Sequence, residues 1–298
     1  MKDISVDRFR NSQKRVVVLG KNGFIGKSLV KQLADFNLDF LALGRDDLDL
    51  LAPTAGSDLV RILRPNDSVV LAAAFVPVKN VQMLSENVRI VQTLFDAFSV
   101  VNFDQLINVS SDAVYPDLDH PIDENVSPSP TSLHGVMHLS REICFDQLQH
   151  LSVCHVRPTL VFGSDDPHNG YGPNRFIREA NKSNSISIFG EGEERRDHIF
   201  VKDVARLLLA SIVTNQKGIL NAVSGRLTSF QQLASLVAEL ADHEISIVRH
   251  PRQIPVPHGG YRAFNNQKVR DLFPDFSFTD LSDALAEMIL IESDRNSL

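Results

Sequence analysis

The stretch Arg15-Val-Val-Val-Leu-Gly20-Lys-Asn-Gly23-Phe-Ile-Gly26 decides the fold. Its first half is short, apolar and β-branched, which reads as a parallel strand buried on both faces. Three glycines spaced by three residues then let the chain turn tightly. The amphipathic run from Phe24 to Phe36 reads as a helix. Strand, glycine turn and helix in that order bring a helix N-terminus to a pyrophosphate: the glycines allow close backbone approach, and the first turn offers free N–H groups at the positive end of the dipole. Gly20, Asn22, Gly23, Phe24, Ile25 and Gly26 are therefore candidates for a dinucleotide site. A turn that merely packs helix against strand is the plainer alternative.

Working outward, strands are expected at Phe40–Leu43, Ser68–Ala72 and Gln105–Val109, with another at Ser152–Val156. Helical spacing covers Ser85–Val100 and about Ser132–His150. Strands alternating with helices predict an α/β fold with a doubly wound parallel sheet, the Rossmann arrangement. After Arg157 the pattern becomes irregular. Short strands at Ile186–Phe189, Ile219–Ala222 and Ile245–Val248 alternate with helices at Phe176–Asn181, Val201–Val213, Phe230–Leu240 and Leu281–Ile291. The organisation expected is a flexible extension at 1–14, a dinucleotide-binding core at 15–160, and a smaller irregular α/β substrate lobe at 161–298. Some segments of that lobe are expected to return to the core.

The second strand ends in Leu43-Gly44-Arg45. A carboxylate at this place would accept from the adenosine ribose hydroxyls of NAD. The guanidinium of Arg45 suits a 2′-phosphate instead, so NADP(H) is favoured over NAD(H), although Asp46 and Asp47 follow closely. Asp49 and Leu50 are placed beside the adenine. Ala73, Ala74 and Phe75 lie at the end of the third strand, where a cofactor passes.

Composition narrows the function classes. The 298 residues are 43% hydrophobic and 22% charged, with a net charge of −7. This is ordinary for a globular protein and argues against nonspecific nucleic-acid binding. No apolar run approaches the ~18 residues needed to span a bilayer, and the polar N-terminus lacks a signal-peptide core. Cys144 and Cys154 have no zinc spacing and are too few for a disulfide framework, so a reduced, cytoplasmic setting is expected.

A longer set of landmarks now lines up. Gly20-x-x-Gly23-x-x-Gly26 is followed by Asp67-Ser-Val-Val-Leu-Ala-Ala-Ala74, Asn87, Val109-Ser-Ser-Asp-Ala-Val-Tyr115 and Pro121-Ile-Asp-Glu124. Later come Val156-Arg-Pro-Thr-Leu-Val-Phe-Gly163, Ile188-Phe-Gly-Glu-Gly192, Arg196-Asp-His-Ile-Phe-Val-Lys-Asp203 and Asn221-Ala-Val-Ser-Gly225. In this order and spacing, roughly residues 15 to 292, the chain resembles the extended short-chain dehydrogenase/reductase family, in its branch of nucleotide-sugar epimerases, dehydratases and reductases. The resemblance implies NAD(P)-dependent conversion of a nucleotide-linked sugar. It also implies a homodimer packed through the helices carrying Asn87 and His134–Glu142, and it places Asn87, Val109, His138 and Pro158 on the cofactor.

The family uses a Ser or Thr that bonds the substrate oxygen and a Tyr that handles the proton. A Lys four residues later lowers the Tyr pKa and holds the nicotinamide ribose. Ser111 matches the first. At the other two positions this chain has His134 and His138, and its three tyrosines, Tyr115, Tyr171 and Tyr261, lie elsewhere. Imidazole works near neutral pH without a neighbouring cation. The leading expectation is therefore that His134 is the acid/base, Ser111 orients substrate, His138 donates to the ribose, and Asp112 is a second proton donor. The alternative is a catalytically impaired binder of nucleotides or nucleotide sugars. A third reading places zinc on His134, His138 and Glu142, which share a helical face; a fourth ligand is lacking and no metal is expected. On the substrate side the resemblance points to Ser111, Tyr115, Asn174, Arg196 and Arg262. His198 and Lys202 lie near the cleft or cap a helix.

Overall fold

Residues 4–252 and 255–296 are described by the computed structural model. The chain opens with α1 (Ile4–Arg10), followed by β1 (Arg15–Leu19), α2 (Phe24–Asp35), β2 (Phe40–Leu43), α3 (Ala55–Ile62) and β3 (Asp67–Leu71). It continues with α4 (Val81–Val100), β4 (Gln105–Val109), α5 (Leu133–Phe145) and β5 (Ser152–Pro158). A single 3₁₀ turn, Asp112–Val114, lies between β4 and α5. The later part holds β6 (Leu160–Phe162), α6 (Pro173–Ser183), β7 (Ser185–Phe189), β8 (Arg195–Phe200), α7 (Val201–Val213) and β9 (Gly218–Ala222). Then come β10 (Leu227–Ser229), α8 (Phe230–Leu240), β11 (Ser246–His250), β12 (Tyr261–Arg262), α9 (Gln267–Leu272) and α10 (Leu281–Asn296).

The main sheet has the order β2-β1-β3-β4-β5-β9 and is parallel throughout. Alternate residues of β1 explain its apolar sequence. Val16 and Val18 join the core beneath α2 and α7, with Leu29, Leu33, Leu207 and Leu208. Val17 and Leu19 join the opposite core with Leu59, Leu94 and Phe98 from α3 and α4. Both faces are covered, as a parallel sheet requires. A buried fork joins the starts of β1 and β3: Arg15 donates to the two Asp67 carboxylate oxygens at 2.9 and 2.6 Å. From β1 the chain goes to β2 on one side and returns to β3 on the other. The crevice between the carboxyl ends of β1 and β3 is thus the topological switch point where such sheets bind ligands.

Helix ends follow local chemistry. α4 begins four residues before the sequence pattern suggests, because the Asn80 side chain accepts from Met83 N at 2.9 Å and caps the first turn. Ser132 caps α5 in the same way, accepting from Gly135 N at 3.1 Å. α5 stops at Phe145 and not near His150, since the chain turns there to bury Leu148 and Leu151.

The later part forms a second layer. β8 pairs with β6 and β12 in parallel and with β10 antiparallel. β7 pairs with β11. Phe176, Ile188, Phe230, Leu233 and Leu285 form its core. β9 returns to the main sheet beside β5.

The expected flexible extension at 1–14 needs correction. Residues 1–3 lie outside the described residues, but α1 buries Val6 and Phe9 against Leu29, Leu33 and Leu38. Arg10 donates to Phe36 O at 2.6 Å. The i, i+3 apolar pair gives an otherwise polar segment one face that belongs in the core.

Candidate active site

The glycine turn does what its sequence suggests. Gly20 has φ +107°, and a Cβ there would lie 2.7 Å from Ala73 N. At Gly26 a Cβ would lie 2.0 Å from Gly20 O. No side chain caps α2 at Gly23, so the first N–H groups of the helix are left for a ligand. A cleft of about 220 Å³ opens there, bounded by Gly20, Asn22, Gly23, Arg45, Asp49, Leu50, Ala73, Ala74 and Phe75. The backbone has closed to a distance that only hydrogen at Cα allows, and this fits the diphosphate of a dinucleotide.

Phe24 and Ile25 contribute backbone to this turn, while their side chains pack into the lobe core. Asn87 does not face the cleft with a free amide. It accepts from Phe75 N and donates to Phe75 O, both at 3.0 Å, and donates to Met83 O at 2.8 Å; it fixes the loop that carries Phe75. Arg45 places its guanidinium 5.5 Å from the centre of the Phe75 ring. Two of the nearby carboxylates already have partners. Asp47 binds Lys21 Nζ and Gly44 N, both at 2.7 Å, and these bonds hold its carboxyl below the usual range. Asp49 lies 3.7 Å from Arg45 Nε.

The candidate residues for proton transfer meet where α5 abuts the turn after β4. A Cβ on Gly135 would sit 2.1 Å from Ala113 O, so only glycine lets the first turn of α5 come this close to Ser111 and Asp112. Ser111 Oγ accepts from Ala113 N at 3.1 Å. The His134 and His138 rings pack edge to face, 4.6 Å between centroids, and each has a buried Nδ1 without a partner among the described residues. Burial lowers the His134 pKa, opposed by the Asp112 carboxylate and assisted by Arg141 and His168. Burial pushes His138 well below the usual imidazole range, with Arg141 and His134 adding to it. Both rings are therefore neutral at pH 7, a state in which imidazole accepts a proton.

The zinc reading fails on Glu142. Its carboxylate is buried and turned to Arg157, which donates from Nε at 2.9 Å and Nη2 at 2.5 Å, while Ser110 Oγ donates at 2.5 Å. Three of the residues expected on the substrate side bond within the protein. Tyr115 is buried and donates to Asn221 Oδ1 at 2.8 Å. The Asn174 amide pairs with Gly163 N at 3.2 Å and Gly163 O at 2.5 Å. Arg262 donates to Asp112 Oδ2 at 3.0 Å and to Asp117 Oδ1 at 2.9 Å. Asp112 is thereby an ion-paired carboxylate and not a free proton donor. Val109 and Pro158 are buried strand ends, and Val109 O accepts from Arg141.

The lobe holds a second cavity of about 640 Å³, lined by Tyr171, Phe189, Glu194, Arg196, Phe230, Arg252 and residues around them. Arg196 binds Glu194 and Pro257 O, and Arg252 Nη1 lies 3.2 Å from the other Glu194 oxygen. Arg196 Nη1 and Arg252 Nε and Nη2 are buried without partners among the described residues. Unpartnered guanidinium donors beside aromatic walls suit a phosphorylated ligand with a stacking ring. His198 has its pKa pushed to about 4 by burial and lines a small void instead of this cavity.

Residues 16–222 match the model described as the NAD dependent epimerase/dehydratase family. The chain belongs to that family. The probable GDP-L-fucose synthase of Drosophila melanogaster is 23% identical, covering 91% of this chain and 95% of its own. The crystal structure of a GDP-L-fucose synthetase from Naegleria fowleri bound to NADP matches with a TM-score of 0.83 and 19% identity, over 96% of this chain and 94% of that one. MoeE5 in complex with UDP-glucose and NAD matches at 0.80 and 26%, over 95% and 100%. Of these, the Naegleria fowleri structure holds NADP and the MoeE5 structure holds NAD.

Sequence reasoning missed Lys21, Arg141, Glu194 and Arg252. Arg141 was signalled by its position, three residues after His138 on one helical face. Arg252 lies in a proline-rich loop whose path no local pattern sets.

Proposed function

We propose that this protein converts a nucleotide-linked sugar by NAD(P)-dependent epimerisation, dehydration or keto-reduction, with His134 as the acid/base. The observation that carries the reading is the contact of Gly135 with Ala113, which brings the first turn of α5, where His134 stands, against the Ser111 turn. When bound, the nicotinamide ring supplies or accepts hydride. Gly20, Gly23 and the start of α2 would hold its diphosphate. Ser111 orients the substrate oxygen, and His134 takes the hydroxyl proton on oxidation and returns it on reduction. His138 donates toward the ribose. Arg196 and Arg252 receive the nucleotide diphosphate, and Tyr171 and Phe230 offer faces to the base.

NADP(H) is the favoured cofactor. Arg45 and Lys21 stand at the β2 end of the cleft, where Asp47 is paired with Lys21 and Asp49 lies 3.7 Å from Arg45. Two free thiols, one of them buried Cys154 with its pKa pushed up to about 12, fit a reducing, cytoplasmic setting. Among the described residues no helix is long and apolar enough to cross a membrane. A homodimer is supported by the apolar residues that α4 and α5 leave exposed: Val81 and Val88 on one, Val136 and Ile143 on the other.

The test mixes the protein with NADPH or NADP⁺ and a panel of nucleotide sugars, following absorbance and product by NMR. Turnover is expected. His134→Ala should lower it by about 10²–10⁴-fold while NADPH binding persists. No turnover on any sugar, with binding intact, would favour an impaired binder.

A further inference from the structure

Arg141 stands on α5 one turn beyond His138 and two beyond His134, on the same helical face. Its side chain is 1% exposed. Nη1 donates to Ala73 O at 3.2 Å and Nη2 to Val109 O at 2.5 Å. These two carbonyls lie at or just past the ends of β3 and β4, and Ala73 lines the cofactor cleft. Arg141 Nε is buried and has no acceptor among the described residues. The adjacent carboxylate, Glu142, bonds instead with Arg157 and Ser110.

A guanidinium buried on neutral acceptors is costly. Two carbonyls can be bridged by a neutral donor, so a strand clamp alone does not call for the charge. The charge sits behind the cleft wall, bonded to the carbonyl of the cleft-lining Ala73, on the helix from which the family's lysine is missing.

We infer that Arg141 supplies, from the next turn of α5, the fixed positive charge that lysine at position 138 supplies in relatives, and so acts as a positioning residue for the two histidines and the cofactor. The inference rests on the dinucleotide reading above. The groups acting on His134 are Asp112 from the turn after β4, His168 from the loop before α6, and Arg141 on its own helix; His138 faces Arg141 and His134. The cation adds to burial in disfavouring a second positive charge on either ring. It also draws the anionic cofactor toward the β3 end of the cleft.

The test uses the full chain with labelled histidines, wild type against Arg141→Met and Arg141→Lys. Imidazole titration midpoints are read by NMR without cofactor, and NADPH affinity by fluorescence. Arg141→Met should raise both midpoints by about 1 pH unit and weaken NADPH at least about tenfold. Arg141→Lys keeps the charge without the fork and should stay near wild type in both. A folded Arg141→Met variant with unchanged midpoints and affinity would overturn the inference, as would a lysine variant that behaves like the methionine one. Should the methionine variant not fold, Arg141→Gln decides: midpoints raised above those of the wild type support the inference, and unchanged midpoints contradict it. Failure of the wild type to bind either nicotinamide nucleotide would count against the dinucleotide reading, while the midpoints still judge Arg141 separately.

Discussion

At the scale of single residues, the chemistry turns on where charge is placed. Arg45 is the residue on which cofactor choice rests. It is exposed, stacks over Phe75, and has only a long contact to Asp49. Arg45→Ala should weaken NADPH by about 10- to 100-fold and change NADH by less than about threefold, measured by fluorescence titration; equal losses would reject a phosphate role. The residue scale is also where sequence reading went furthest astray. Arg262 and Tyr115 were legible as family positions, but their partners, Asp112 and Asn221, lie over a hundred residues away in the chain. A motif names a residue type at a place. It does not say which of two nearby groups that residue will satisfy.

At the scale of elements, the agreement is closer, because periodicity and capping are local. β1, β2, β4, α7 and α8 occupy the ranges their apolar spacing indicates. The shortest strands of the lobe were not legible: β10 and β12 have three and two residues and exist only through pairing with β8. α3 was overlooked although Ala55 and Leu59 form its buried stripe. The junction of α5 with the Ser111 turn is the element contact that matters most for function. Gly135→Ala would place a methyl 2.1 Å from Ala113 O and push His134 from the turn. On the order of 100-fold loss in kcat is expected, with a smaller change in KM. Steady-state kinetics would check this, and an unchanged kcat would mean that His134 acts from elsewhere.

At the scale of the whole molecule, a doubly wound sheet builds the switch-point cleft, and the later segments build an aromatic and arginine-lined cavity. The sheet was readable from one glycine turn and its flanks; the cavity was not, since its walls come from five separate segments. The exposed apolar face of α4 and α5 belongs to this scale too. Val88→Asp together with Ile143→Asp should convert a dimer to a monomer in sedimentation, and a wild type that is monomeric throughout would remove the homodimer. The most direct test of the account is the pH dependence of kcat/KM for the intact protein in the oxidative direction. A base must be deprotonated to act, and burial lowers the His134 pKa. The rate should therefore be flat through neutral pH and fall only as pH drops below about 6.5, with that limb absent from the residual activity of His134→Gln. A wild-type profile that rises with an ionisation near pH 10, or an identical limb in His134→Gln, would contradict the assignment of the proton to His134.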